Sequence, residues 1–95
     1  MNRTAEYQLT IAIPVYNEEG NLLALEEALA AYLPKCLMKA CVLLVNDCST
    51  DGSLEMIKAI CGRHSDFFYI CHTRRLGCSG AMKTAIDSIE SEYMA

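Results

Sequence analysis

The apolar positions of the chain form three short runs of strand character, each followed by a stretch with helical spacing. Leu9, Ile11, Ile13 and Val15 alternate, with small Ala12 on the opposite face, which predicts a first strand over Leu9–Val15. Pro14 falls near its end, where a missing amide hydrogen is tolerable. From Glu19 to Leu33 the residues Leu22, Leu25, Leu29 and Leu33 recur at helical intervals, and Pro34 stops the run. Cys41–Val45 is unbroken apolar sequence, as expected of a parallel strand covered on both faces. Asp51 offers an N-cap to a second helix that carries Leu54, Ile57 and Cys61 on one side, with Gly62 as its stop. Phe67–Cys71 is predicted as the third strand. Ser79–Tyr93 is predicted as the third helix, with Met82, Ala85 or Ile86, Ile89 and Tyr93 facing inward.

Strands alternating with helices imply parallel neighbours joined by right-handed crossovers, hence an α/β fold. Three strands leave two open edges, and the sequence closes on a helix where a further strand is expected. The pattern therefore predicts a single truncated domain, residues 1–95, that is half of a larger sheet. An open edge on the first strand invites a second copy to pair with it, so a homo-oligomer is expected, and a self-associating interaction module is the alternative function.

Composition narrows the partners. With 95 residues the chain makes one small domain, and a hydrophobic share of 53% is that of a folded unit. A net charge of −4 argues against an electrostatic grip on nucleic acid or an acidic membrane surface. No apolar stretch reaches the roughly 18–20 residues of a membrane span. The first residues have no signal-peptide core, which predicts a cytoplasmic location. The six cysteines include no Cys-x-x-Cys pair, so a structural metal or disulfide framework is not indicated. Cys41, Cys61 and Cys71 read as small buried hydrophobes. Cys48 and Cys78 fall at one rim, where a redox pair is a minor alternative.

Ligands of an open parallel sheet lie beyond the carboxyl ends of its strands. There the first strand delivers Pro14, Tyr16, Asn17, Glu18 and Glu19, and the second delivers Asn46, Asp47, Ser49 and Asp51. The third delivers His72, Arg74 and Arg75, with Gly77 and Gly80 before the third helix. Tyr16 offers a flat face for a heterocyclic base. Asp47 can accept from a ring N–H such as that of uracil, thymine or guanine, which cytosine lacks. Glu18 can accept from ribose hydroxyls. Arg75 or Lys83, with amides at the start of the third helix, suits a phosphate. Simpler roles compete: Asp51 as a helix cap, Asn17 and Asn21 as turn formers, and Glu19, Glu26 and Glu27 as solvated charges. His72 has no partner visible in a local motif. Gly77-x-x-Gly80 is too short to stand as a phosphate loop. The case for a nucleotide rests on Pro14, Tyr16, Glu18 and Asp47 occurring together.

Pro14-Val-Tyr-Asn-Glu18, followed by Val45-Asn-Asp-Cys-Ser-Thr-Asp-Gly-Ser53, resembles the amino-terminal half of a family 2 glycosyltransferase. The flavour is that of the polyprenyl-phosphate sugar transferase branch. Arg74-Arg-Leu-Gly-Cys-Ser-Gly-Ala-Met-Lys-Thr-Ala85 resembles that family's third signature. The resemblance implies a three-layer, Rossmann-like half of the GT-A fold, with three parallel strands in the order 3-2-1 and three helices. It implies binding of a UDP- or GDP-sugar, with Pro14, Tyr16 and Glu18 framing base and ribose, Val45 packing near the base and Asp47 on its ring N–H. Arg75 also belongs to that binding set, at a position where the family often has asparagine. Cys48 stands where glycine is usual, so a left-handed backbone there would be strained by its side chain. Family chemistry is sugar transfer to a polyprenyl phosphate or saccharide, with Mg²⁺ or Mn²⁺ at the departing diphosphate. The metal-binding Asp-x-Asp segment and the catalytic base have no counterpart in the chain, so the fragment alone is expected to be inactive.

Overall fold

The computed structural model describes residues 3–91 and 93–95. The first strand is β1 (Leu9–Val15), followed by α1 (Leu22–Tyr32), β2 (Ala40–Asn46), α2 (Ser53–Arg63), β3 (Phe67–Cys71), α3 (Gly77–Ser88) and a short β4 (Tyr93–Met94). The sheet is parallel, in the order β3-β2-β1-β4. The predicted order of the first three strands holds, and β4 is an addition to it.

Every residue of β2 is buried, because this central strand is covered on both faces. On one face Val42 and Leu44 join Val15, Leu22, Ile57, Ile60 and Phe67, with α1 and α2 as the covering layer. On the other, Leu43 and Val45 pack against Ala81 and Ala85 of α3. Each large aliphatic side chain buried in this way contributes about 1.5–3 kcal/mol. The alanines let α3 approach the sheet closely, so the carboxyl rim is held between two helical layers.

The third helix departs from the expected Ser79–Tyr93. It starts at Gly77 and ends at Ser88, and Ile89 is already extended, at φ −77° and ψ 132°. Ala81 and Ala85 are its buried residues, whereas Ile86 is exposed. Tyr93 lies in β4 and is exposed, not on a helix face. Main-chain bonds explain the change: Tyr93 N donates to Gln8 O at 2.8 Å, Ala95 N to Thr10 O at 2.9 Å, and Ala12 N to Ala95 O at 2.9 Å. These bonds occupy the β1 edge from Gln8 to Ala12. The open first-strand edge on which self-association was expected is therefore covered there.

Two cysteine expectations also divide. Cys41 is buried and its thiol is pushed up by burial, but Cys71 is exposed on β3. All six cysteines are free thiols. Among the described residues no helix is long and apolar enough to cross a membrane.

Candidate functional site

The loops that follow β1 and β2 are stitched to one another across the rim. Asn17 sits at φ 51°, a left-handed conformation that asparagine tolerates. That turn aims its amide at Ser49 Oγ (3.1 Å), while its Oδ1 accepts from Thr50 N (2.8 Å). Glu18 N donates to the buried Ser53 Oγ at 2.9 Å. Glu19 is exposed, as expected of a solvated charge, and its Oε1 accepts from Gly52 N at 3.1 Å, at the entrance of α2. A Cβ at position 52 would meet that carboxylate, the movable end of an exposed side chain. Asp51 lies one residue before the cap position, and its Oδ1 accepts from Ser53 N at 2.9 Å. Bonding to Ser53 holds its carboxyl below the usual carboxylate range.

Asp47 is the centre of the rim. Its side chain is only 4% exposed, and its oxygens meet four N–H donors. Oδ1 takes His72 Nδ1 and Leu76 N, both at 2.8 Å. Oδ2 takes Gly77 N at 2.8 Å and Arg75 Nε at 3.3 Å. The bond from His72 and the amides of Leu76 and Gly77 hold its carboxyl down to about 2, against the opposing pull of burial. Gly77, at φ +80°, adopts the left-handed turn that directs its amide to the carboxylate. The start of α3 thus already holds an anion, and that anion is Asp47. The expectation that these amides meet a phosphate is revised accordingly.

His72 is the residue whose role the sequence concealed. Its ring is 7% exposed and bridges Asp47 to Thr84, whose Oγ1 lies 2.8 Å from Nε2 and donates to Gly80 O at 3.0 Å. This chain ties β2, β3 and α3 together beneath the rim. Glu26 is the second such case, because Arg63 grips it through Nε (2.9 Å) and Nη2 (2.6 Å), with His64 Nε2 at 2.7 Å. It is a half-buried clasp between α1 and the end of α2, with its carboxyl lowered first by Arg63.

Of the six residues expected to bind nucleotide, Pro14, Tyr16, Glu18, Asp47 and Arg75 line one hollow of about 290 Å³ at the carboxyl rim. That is close to the lower end of the roughly 300–1,000 Å³ typical of small-molecule sites. Val45 does not reach it and is buried behind, among Leu43, Ala81 and Ala85. Lys83 points elsewhere, to Asp87 at 3.2 Å. Cys78 also lines the hollow, while Cys48 is half-buried in the adjoining turn at φ 59°, the left-handed backbone expected for a glycine. Arg75 lies over Tyr16, its Cζ 3.6 Å from the ring centroid. Two wider hollows, of about 640 and 620 Å³, lie away from these loops. One is at the amino ends of β2 and β3, and the other runs along β3 and the end of α3. In a parallel sheet the amino end and the flank are not where ligands are held, so the smaller hollow is the candidate site. Among the described residues no three His, Cys, Asp or Glu side chains converge as a metal site.

The parallel α/β sheet in three layers is similar to the GT-A fold of glycosyltransferases. The mannosyltransferase PcManGT from Pyrobaculum calidifontis, solved in complex with GDP-Man and Mn²⁺, has the same arrangement, at a TM-score of 0.64 and 26% identity. The match covers 85% of this chain and 24% of that one. The model of glycosyl transferase family 2 matches residues 10–95, and the chain belongs to that family. It is also 40% identical over 58 residues to the undecaprenyl-phosphate 4-deoxy-4-formamido-L-arabinose transferase of Aeromonas hydrophila subsp. hydrophila. That alignment takes in 61% of this chain and 18% of the relative, so the chain spans a minor part of either protein's length.

Proposed function

We propose that this chain is the nucleoside-diphosphate-sugar-binding part of a glycosyltransferase that passes a sugar to a polyprenyl phosphate or saccharide acceptor. The observation that carries this reading is the convergence of Pro14, Tyr16, Glu18 and Asp47 on one hollow at the carboxyl rim. Tyr16 offers the base a face, and Asp47 offers its ring N–H the acceptor position that the exposed Arg75 Nε takes at 3.3 Å in the free chain. Glu18, in the same lining, is the acceptor for ribose hydroxyls, although its Oε2 now accepts from Asn21 Nδ2 at 2.9 Å. The solved relative carries GDP-Man, which supports a sugar nucleotide as the ligand class. The undecaprenyl-phosphate transferase supports a polyprenyl phosphate as acceptor.

A divalent metal, Mn²⁺ in the solved relative, supplies charge neutralisation at a leaving diphosphate when bound. The described residues do not fit that task. Among them no three His, Cys, Asp or Glu side chains converge, and Asp47 is held by His72 and by the amides of Leu76 and Gly77. In this reading the described residues recognise the donor nucleotide, and bond breaking depends on groups outside them. Titration of the chain with UDP, GDP and CMP, following the amide signals of Tyr16 and Asp47, tests the reading. UDP or GDP is expected to shift both signals and CMP to leave them in place. No response to any nucleotide would refute it.

A further inference from the structure

The four donors on Asp47 are unequal. His72 is buried and pinned by Thr84, and the amides of Leu76 and Gly77 belong to the main chain at the start of α3. None of these three can leave without opening the fold. Arg75 is different: its bond is the longest, at 3.3 Å, and its side chain is 55% exposed. The same guanidinium covers the ring of Tyr16 at 3.6 Å. A base entering this hollow would need the face of Tyr16 and one acceptor position on Asp47, and a single exposed side chain holds both. Guanidinium is planar and presents an N–H edge, so its outline in the slot imitates that of a base.

We propose that Arg75 is a displaceable occupant of the base slot, and that a base bearing a ring N–H binds by expelling its guanidinium from Tyr16 and Asp47. This rests on the reading of the hollow as a base site and adds that the free protein holds the slot closed. Tyr16 then keeps a stacked partner and Asp47 keeps its acceptors satisfied in both states. The cost of opening weakens the apparent affinity by the fraction of molecules in which the slot is free.

The experiment compares the wild-type chain with Arg75→Ala and Arg75→Lys. Uridine, guanosine and cytidine are used as probes because they carry no phosphate that a freed arginine could attract. With the slot closed in about nine molecules of ten, Arg75→Ala should bind uridine or guanosine about tenfold more tightly, equivalent to about 1.4 kcal/mol. Arg75→Lys, which has a cation but no plate, should fall between the two. Cytidine, lacking the ring N–H, should gain less. In the free wild-type chain, the Arg75 side-chain protons should be shifted upfield by the Tyr16 ring, and Tyr16→Leu should abolish that shift. Equal nucleoside affinity in wild type and Arg75→Ala, or unshifted Arg75 protons, would overturn the role of Arg75 and leave the base site standing. No nucleoside binding by any of the three proteins would overturn the base site and this proposal with it.

Discussion

Cys48→Gly should make the protein more stable, and the size of the gain follows from one dihedral angle. Cys48 sits at φ 59°, in the turn that carries the chain from Asp47 to Ser49. A residue with a Cβ in that left-handed region costs about 1–2 kcal/mol relative to right-handed backbone. Glycine removes this cost, but its greater freedom in the unfolded chain takes back about 0.4–1 kcal/mol. A net gain of about 0.5–1 kcal/mol remains. In urea unfolding the midpoint should rise by roughly 0.5 M with the slope unchanged. The melting temperature should rise by about 2–8 °C for a domain of this size. Cys48→Ala is the control, since it trims the thiol and keeps the Cβ, so it should show none of the gain. The reasoning is refuted if glycine lowers the midpoint, or if alanine raises it as much as glycine does. Either result would mean that the thiol, not the backbone, governs the turn.

The rim yields three further expectations. Asp47→Asn turns one acceptor oxygen into a donor facing N–H groups, so it should lower the melting temperature by roughly 10 °C and speed hydrogen exchange at the Leu76 and Gly77 amides. Unchanged exchange at those amides would contradict the four-donor arrangement. The depressed Asp47 carboxyl stabilises the fold above its ordinary value of 3.8, and that contribution is lost as pH falls through about 2. The Leu76 and Gly77 amide signals should therefore titrate with a midpoint near 2, and a midpoint near 4 would remove the argument. Gly52→Ala displaces the Glu19 carboxylate from the α2 entrance, and because that exposed side chain can swing aside it should cost no more than about 1 kcal/mol in thermal unfolding. Most of that cost should vanish in a Glu19→Ala background, because the two changes break one contact. Full additivity would separate them.

Local pattern carried much of the fold. The bounds of β1 at Leu9–Val15 and of β3 at Phe67–Cys71 were legible to the residue, but not their burial: Thr10 is buried where Leu9, Ile11 and Ile13 are half-buried, and Tyr69 is exposed. The central strand extends one residue beyond the apolar run at each end, to Ala40 and Asn46, where main-chain pairing continues past the hydrophobic signal. The first helix begins at Leu22, not Glu19, because residues 17–19 are drawn into bonds with the neighbouring loop. β4 left no trace in local sequence, since a two-residue strand is defined only by its distant partner. The same holds at the site. The types needed at the rim were visible in order, but the partners of Asp47 lie 25–30 residues away and those of Glu26 lie 37–38 away. No window of sequence joins such pairs. His72 and Glu26 were misjudged for that reason, and Val45 was drawn toward the ligand when its side chain is part of the sheet's core.

The most direct test is the position of a bound nucleotide, read from intermolecular NOEs in the chain saturated with UDP or GDP. If the rim is a base site, the base protons should show NOEs to the Tyr16 ring and to the amides of Asp47 and Gly77. Base NOEs instead to Leu37, Met38 and Lys39, in the wider hollow at the opposite end of the sheet, would contradict it.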